Sequence, residues 1–242
     1  MTTYPFDKVI EKTTLLGGLV FSFLYLRQVA PLNRENLGFL SGGKSYSVML
    51  IQSFAAGTAI LTCLILSLLW LDIYAIHSGR DITFTSVTVL IIKALFTGLA
   101  VGVIEETLFR GALFTGLMKR TNAIVATLAV SFVYSAAHFI DYKAPVKPDD
   151  INWLTAPDLF LETCSGIFNL QVIDAMAALF LLGILFSLVR LRTGNIIQCI
   201  GLHAGLVAAI KISRYFTQYV PDNNFTYMVS SHDHRLGWLA AF

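Results

Sequence analysis

Charged residues are scarce in this chain, at 13% of its 242 residues. Soluble domains carry about 25% charged residues, so this level argues against a soluble globular protein. The formal net charge is only +2 and no run of Lys and Arg occurs, which argues against nucleic acid as a partner. A membrane protein is the class that remains.

Cysteine is equally rare. Cys63, Cys164 and Cys199 are the three in the chain, and they lie far apart. Neither a CxxC pair nor the Cys/His spacing of a zinc site occurs. Because two of the three fall inside apolar segments, we interpret all of them as packing residues.

Hydrophobic residues are abundant, at 56% of the chain, and the mean hydropathy is +0.70. A membrane-spanning helix needs about 20 mainly apolar residues. Suitable segments lie at about 13–30, 47–76, 86–118, 122–140, 171–190 and 194–213. The sequence therefore predicts an all-α, polytopic membrane helical bundle of about six transmembrane helices, with five to eight as the range. We expect one integral-membrane domain over 1–242, in the cell membrane.

Lys and Arg in short loops tend to stay cytoplasmic. They concentrate between residues 27 and 44, at Lys119-Arg120, and at residues 190–192. With six spans these three loops fall on one side, which predicts a cytoplasmic face. The acidic connection 141–171 then lies outside with both termini.

The segment 86–118 contains the most informative charges. Glu105, Glu106 and Arg110 lie within apolar sequence, where each charge costs at least about 2.5–3.5 kcal/mol on insertion scales. Such residues are functional candidates by default; the alternative is a helix end at which all three charges reach water. The segment is too long for one straight helix, so we expect a tilt or a break near Glu105–Gly111.

Helical spacing separates the two glutamates. Glu106 and Arg110 are four residues apart, a spacing that favours a structural ion pair on one helix face. Glu105 lies about 100° away around the helix and is free for acid–base chemistry.

Two later helices each carry a histidine. His138 ends a polar stripe on an otherwise apolar helix, which should face the bundle or a wet cavity; the alternative is a histidine at the membrane surface. His203 is a lone polar group on an apolar face, where a histidine is often only part of a core. Gly201 and Gly205 lie on the opposite side of that helix, suited to close packing.

The depths of these side chains agree. At about 1.5 Å per residue, Glu105, His138 and His203 lie roughly 20, 25 and 14 Å from the same membrane face, which overlap within the errors of helix tilt. A carboxylate and two imidazoles can activate water for attack on an amide. Two His and one Glu also form a known zinc set, but the helical HExxH motif is missing. We therefore predict no metal or other cofactor, with zinc as the alternative.

Three motifs in this order resemble those of the CPBP family, the CAAX-protease and bacteriocin-processing family of intramembrane endopeptidases, which includes type II CAAX prenyl endopeptidases. They are Glu105-Glu106-x-x-x-Arg110, Tyr134-x-x-x-His138 and Gly201-Leu-His203-Ala. The resemblance covers about residues 86–213, which we interpret as a catalytic core. It implies an all-helical fold and a glutamic-type mechanism, in which the first glutamate and a histidine activate water.

The chain departs from that family pattern at two positions. Tyr134 stands where the family usually has Phe. Val207 stands where the third motif commonly has an Asn that helps to form the oxyanion hole, and Val cannot donate a hydrogen bond. Tyr134, Ser135 or a backbone amide would have to supply the missing donor, and CAAX cleavage itself is put in question.

We thus predict an intramembrane endopeptidase that cleaves a membrane-anchored protein or peptide in the lipid bilayer. One alternative is a proton- or ion-coupled transporter that uses Glu105, His138 and His203 as a relay. Another is a catalytically inactive binding or immunity-type protein on the same scaffold. The sequence leaves the substrate and the oligomeric state open.

Overall fold

The computed structural model describes residues 33–39, 45–139, 170–221, 223–231, 234–235 and 237–241, with isolated positions within 13–28 and 152–161. Half of the first predicted span and most of the acidic connection 141–171, with Cys164, lie outside the described residues.

Helices dominate the described chain, so the predicted all-α fold is confirmed. In chain order they are α1 (Tyr46–Trp70), α2 (Phe84–Glu106), α3 (Phe114–Arg120), α4 (Ala123–Ala137), α5 (Ile173–Thr193), α6 (Ile197–Phe216) and the short α7 (Trp238–Ala241). Among the described residues, three helical stretches are long and apolar enough to cross a membrane: Tyr46–Trp70, Phe84–Arg120 and Ile173–Thr193. Ala123–Ala137 is apolar but shorter.

The stretch Phe84–Arg120 is helical throughout but changes its winding. Residues Thr107–Leu113 form a π-helical turn between α2 and α3. The irregularity that the sequence predicts near Glu105–Gly111 therefore occurs as a change of helix type within a continuous helix. Such turns inside α-helices are frequent at functional sites.

Local chemistry sets several helix ends. The Thr83 hydroxyl accepts a hydrogen bond from the Ser86 N–H at the start of α2, and Asn122 Oδ1 accepts one from the Val125 N–H at the start of α4. Both are N-caps that satisfy amides left free by the first helical turn. Gly194 ends α5 with φ +65°, the left-handed conformation that glycine adopts readily.

Glycines bring α6 into close contact with two neighbours. A Cβ at Gly201 would lie 2.5 Å from the Leu50 carbonyl oxygen, and one at Gly205 would collide with the Phe54 carbonyl. On the other side, a Cβ at Gly98 would lie 2.5 Å from the Ala204 carbonyl oxygen. The predicted packing role of Gly201 and Gly205 is confirmed, and α6 is held between α1 and α2.

A two-stranded antiparallel sheet closes one end of the bundle, a feature that the sequence did not predict. Strand β1 (Tyr74–Ile76) pairs with β2 (Thr217–Tyr219), and Tyr74 lies opposite Tyr219. Because β1 follows α1 and β2 follows α6, the sheet joins the two helices again beyond their glycine contacts.

The opposite end of the bundle is basic. Lys119 Nζ donates to Asn36 Oδ1 at 2.8 Å. A Cβ at Gly38 (φ +82°) would lie 2.6 Å from Cζ of Arg190, so the guanidinium packs directly on that glycine. The segment 33–39, the end of α3 and the end of α5 thus meet at one face, in agreement with the distribution of positive charge.

Candidate active site

Three polar side chains from three helices converge inside the bundle. Oε2 of Glu105, in the last turn of α2, lies 3.9 Å from Nε2 of His138 and 3.8 Å from Nε2 of His203. His138 follows the last residue of α4, and His203 lies in α6. The structure therefore brings together the three residues that the depth argument selected.

Arg110 lies next to this cluster and is completely buried. Its Nη1 lies 3.2 Å from Oε1 of Glu106, and both side chains are 0% exposed. Its Nη2 donates to the Gly183 carbonyl oxygen at 3.1 Å. The guanidinium also lies over two aromatic rings, with Cζ 4.5 Å from the centroid of Tyr134 and 4.8 Å from that of Phe186. A carboxylate, a carbonyl and two ring faces together compensate the buried cation.

Glu106 has a second partner that sequence reasoning missed. Its Oε1 lies 2.8 Å from Nδ1 of His203. A carboxylate accepts hydrogen bonds, so Nδ1 donates to it, and Nε2 is the ring nitrogen that faces Glu105. The His203 ring is also stacked on Phe186, with centroids 5.3 Å apart and an interplanar angle of 7°. The orientation of this imidazole is therefore fixed from two sides.

His138 is oriented in the same way by a different group. Its Nδ1 lies 2.8 Å from the Tyr134 carbonyl oxygen, and a carbonyl can only accept, so Nδ1 donates. Nε2 is again the ring nitrogen that faces Glu105. The ring packs against the Tyr134 ring with centroids 4.6 Å apart. Both imidazoles thus present Nε2 to the same carboxylate.

Burial is uneven across the cluster. The side chains of Glu105 and His138 are 27% and 32% exposed, whereas that of His203 is 5% exposed. Oε2 of Glu105 is itself buried and makes no hydrogen bond within the described part of the chain. The cluster is consequently open on the side of His138 and closed on the side of His203 and Glu106.

The predicted oxyanion donors differ in their surroundings. Ser135 Oγ donates to the Met176 carbonyl oxygen at 2.7 Å, so its only proton serves the contact between α4 and α5. Tyr134 is buried beside both His138 and Arg110. Val207 is half-buried, one turn after His203 on α6.

Two residues of α5 belong to the site although no motif indicated them. Phe186 contacts both Arg110 and His203, and the Gly183 carbonyl binds Arg110. A Cβ at Gly183 would lie 2.9 Å from the Cα of Ser131, so a larger residue would push α5 away from α4. A lone glycine in an apolar helix was the available signal for this contact, and it is a weak one.

Metal-binding geometry is not evident in the described residues. Among them, no group of three or more His, Cys, Asp or Glu side chains is arranged so that it could hold a metal ion.

The fold and the cluster together describe a helical membrane protein with an ionisable site among its helices. The family model for Rce1-like type II CAAX prenyl endopeptidases matches residues 85–209, more than half of the 242-residue chain. The chain belongs to this family of CAAX-type intramembrane proteases, and the resemblance seen in its motifs is confirmed. The match nearly coincides with residues 86–213 and includes all three motifs. No curated protein and no solved structure matches the chain significantly.

Proposed function

We propose that the protein is an intramembrane endopeptidase in which Glu105, assisted by His138 and His203, activates the water that hydrolyses a peptide bond. The observation that carries this proposal is the convergence of one carboxylate oxygen and two imidazole Nε2 atoms. The substrate is a membrane-anchored protein or peptide, as membership of the family suggests, and the protein acts in the cell membrane.

The chemistry of the three facing atoms supports water as the attacking group. When both imidazoles are neutral, all three are acceptors, since each Nδ1 uses its proton in a hydrogen bond of its own. Separations of 3.8 and 3.9 Å are too long for direct hydrogen bonds, and we place the attacking water between these atoms. A water that donates to Glu105 is positioned to lose that proton as its oxygen attacks a carbonyl.

The reaction then proceeds in two steps. Glu105 takes a proton from water while the water oxygen forms a bond to the carbonyl carbon, which gives a tetrahedral intermediate. The C–N bond breaks as a proton passes to the leaving amine. His203, fixed by Glu106, orients the water. His138, on the open side, accepts at Nε2 the proton that Glu105 took from the water and delivers it to the leaving amine. Tyr134 or a backbone amide stabilises the oxyanion, because the Ser135 hydroxyl is used elsewhere.

The spacing favours this glutamic mechanism over a zinc site. Ligands bound to tetrahedral zinc at about 2.0–2.1 Å lie about 3.3–3.4 Å from one another. The carboxylate and imidazole atoms are 3.8 and 3.9 Å apart, so a metal would require each imidazole to move towards Glu105.

A cleavage assay on purified protein tests the proposal. The substrates are membrane-anchored peptides, including a prenylated CAAX peptide and its unprenylated counterpart, and products are identified by mass spectrometry. Glu105→Gln should abolish cleavage, whereas Glu35→Gln, which removes an exposed carboxylate, should not. Equal product from Glu105→Gln and the wild type would contradict the proposal. Glu105-dependent proton flux into vesicles without any product would establish a transporter instead.

A further inference from the structure

The basic end of the bundle contains a cavity of about 350 Å³ that is separate from the candidate active site. Its polar lining comes from Thr115, Lys119 and Arg190, and its apolar lining includes Phe114, Met118 and Leu191. The cavity therefore lies between α3 and the last turn of α5. No carboxylate occurs among the described residues that line it.

Donor groups in this cavity lack partners. Nε of Arg190 and Oγ1 of Thr115 are buried and make no hydrogen bond within the described part of the chain. Lys119 Nζ donates one hydrogen bond, to Asn36, and an ammonium group has three protons. Two cationic side chains and a threonine thus line one space. The chemical group that suits them is an anion with several acceptor oxygens, such as a phosphate.

The rest of the lining indicates what carries that phosphate. Phe114, Met118 and Leu191 offer an apolar wall beside the cations, and Leu191 is 38% exposed at the surface of the bundle. A free phosphate would gain nothing from such a wall, whereas the acyl chain of a lipid would bury apolar surface there. The occupant is therefore amphiphilic.

The position of the cavity agrees with this chemistry. Lys119 lies in the last turn of the candidate span Phe84–Arg120, and Arg190 lies in the last turn of the candidate span Ile173–Thr193. Both ends belong to the basic face, which the positive-inside rule assigns to the cytoplasm. Basic pockets between transmembrane helices on that side bind anionic headgroups.

We propose that this cavity binds the phosphate headgroup of an anionic phospholipid, with Arg190, Lys119 and Thr115 as the groups that hold it. The acyl chain lies along Phe114, Met118 and Leu191. The site holds a lipid against α3, which begins directly after the π-helical turn that carries Arg110. This proposal does not depend on the proposed peptidase mechanism.

Lipid titration of the purified full-length protein tests the site. Phosphatidylglycerol is compared with phosphatidylcholine of the same chain length, and inorganic phosphate serves as a competitor; bound lipid is counted by native mass spectrometry. We expect tighter binding of phosphatidylglycerol. Lys119→Gln and Arg190→Gln should each weaken that binding about fivefold. Arg192→Gln is the matched control, because it removes the same charge from an exposed position two residues away.

Each other outcome overturns the proposal. Equal binding of the two lipids would show that the headgroup charge is not recognised. Equal weakening by Arg192→Gln would show a general surface field instead of a site. Competition by inorganic phosphate at the concentration at which the lipid binds would show a site for free phosphate. Lys119 is exposed, so we expect Lys119→Gln to fold. Its binding of phosphatidylglycerol therefore tests the proposal even if Arg190→Gln fails to fold.

Discussion

Nδ1 of His203 lies 2.8 Å from Oε1 of Glu106, the same oxygen that accepts a hydrogen bond from Arg110. One carboxylate therefore neutralises the buried arginine and orients the imidazole that faces Glu105. The two adjacent glutamates have different surroundings: Glu106 is 0% exposed and shared by two partners, whereas Glu105 is 27% exposed. This contact joins the structural ion pair to the candidate catalytic groups.

Substitution of each glutamate by glutamine should separate their roles. Glu106→Gln leaves Arg110 buried without a counterion, and breaking a buried pair in this way costs about 3–5 kcal/mol. We expect a large loss of thermal stability and a secondary loss of cleavage. Glu105→Gln should abolish cleavage. It should change the free energy of unfolding by less than about 1 kcal/mol, because the substitution neither opens a cavity nor leaves a buried charge unpaired. Equal effects of both variants on stability and rate would refute this division of roles.

Phe186 should contribute to both stability and activity, because its ring contacts Arg110 and His203. Phe186→Leu removes both ring contacts, and aromatic and cation–π contacts are each worth about 0.5–2 kcal/mol. We expect a loss of about 1–3 kcal/mol in unfolding free energy and a reduced kcat at unchanged protein level. Phe132→Leu, at a position that is 55% exposed on α4, is the control. The assigned role is wrong if the two variants behave alike in detergent unfolding and cleavage assays.

Helix packing gives an independent prediction at Gly205. Gly→Ala normally favours a helix by about 1 kcal/mol, but here the new Cβ would meet the Phe54 carbonyl. We expect Gly205→Ala to destabilise the protein by about 1–3 kcal/mol, the usual range for overpacking. At Gly111 the added Cβ would lie 3.2 Å from the Leu37 carbonyl oxygen, a contact that a small shift relieves. Thermal unfolding should therefore rank Gly205→Ala well below Gly111→Ala, and the reverse order would contradict this packing.

The convergence of Glu105, His138 and His203 could be predicted because helical rise fixes the depth of a residue before any packing is known. Gly201 and Gly205 were predictable for a similar reason, since two small residues one turn apart allow close approach on a known face. Both arguments use distances along a single helix. They therefore do not depend on how the neighbouring helices are rotated about their own axes.

The contact between Glu106 and His203 could not be predicted in this way. It depends on how α6 is rotated about its axis relative to α2, and helical spacing within either helix carries no information on that angle. Phe186 could not be predicted because α5 contains many apolar residues and no sequence pattern distinguishes this one from the others. The strands β1 and β2 are three residues each, too short for a recognisable alternating pattern.

The metal requirement can be tested directly. If the mechanism is glutamic, prolonged chelation should leave the cleavage rate unchanged, and purified protein should contain no stoichiometric zinc. One tightly bound zinc per chain, with activity that returns only when metal is restored, would instead establish a Glu/His metal site. His203→Gln should abolish cleavage under either mechanism and, under the metal mechanism alone, should also release zinc.

The last prediction concerns Val207, where the family commonly has a hydrogen-bond donor. Val207 lies four residues after His203 on α6 and is half-buried. Val207→Asn would place an amide donor on the face that carries the imidazole. A single oxyanion donor is worth roughly 2.7–4 kcal/mol, or about 10²–10³ in rate. We expect a smaller gain, within about tenfold in kcat, because Tyr134 or a backbone amide already supplies a donor, together with a modest loss of stability from burying an amide.

Val207→Leu separates a gain in chemistry from a change in packing, because leucine is similar in size to asparagine but cannot donate. A higher kcat in Val207→Asn than in Val207→Leu, at equal loss of stability, would show that position 207 faces the reacting carbonyl. Equal rates in the two variants would mean that this side chain only packs against a neighbouring helix. The third motif would then act through His203 alone, and the oxyanion would have to be stabilised from α4, where Tyr134 packs against His138.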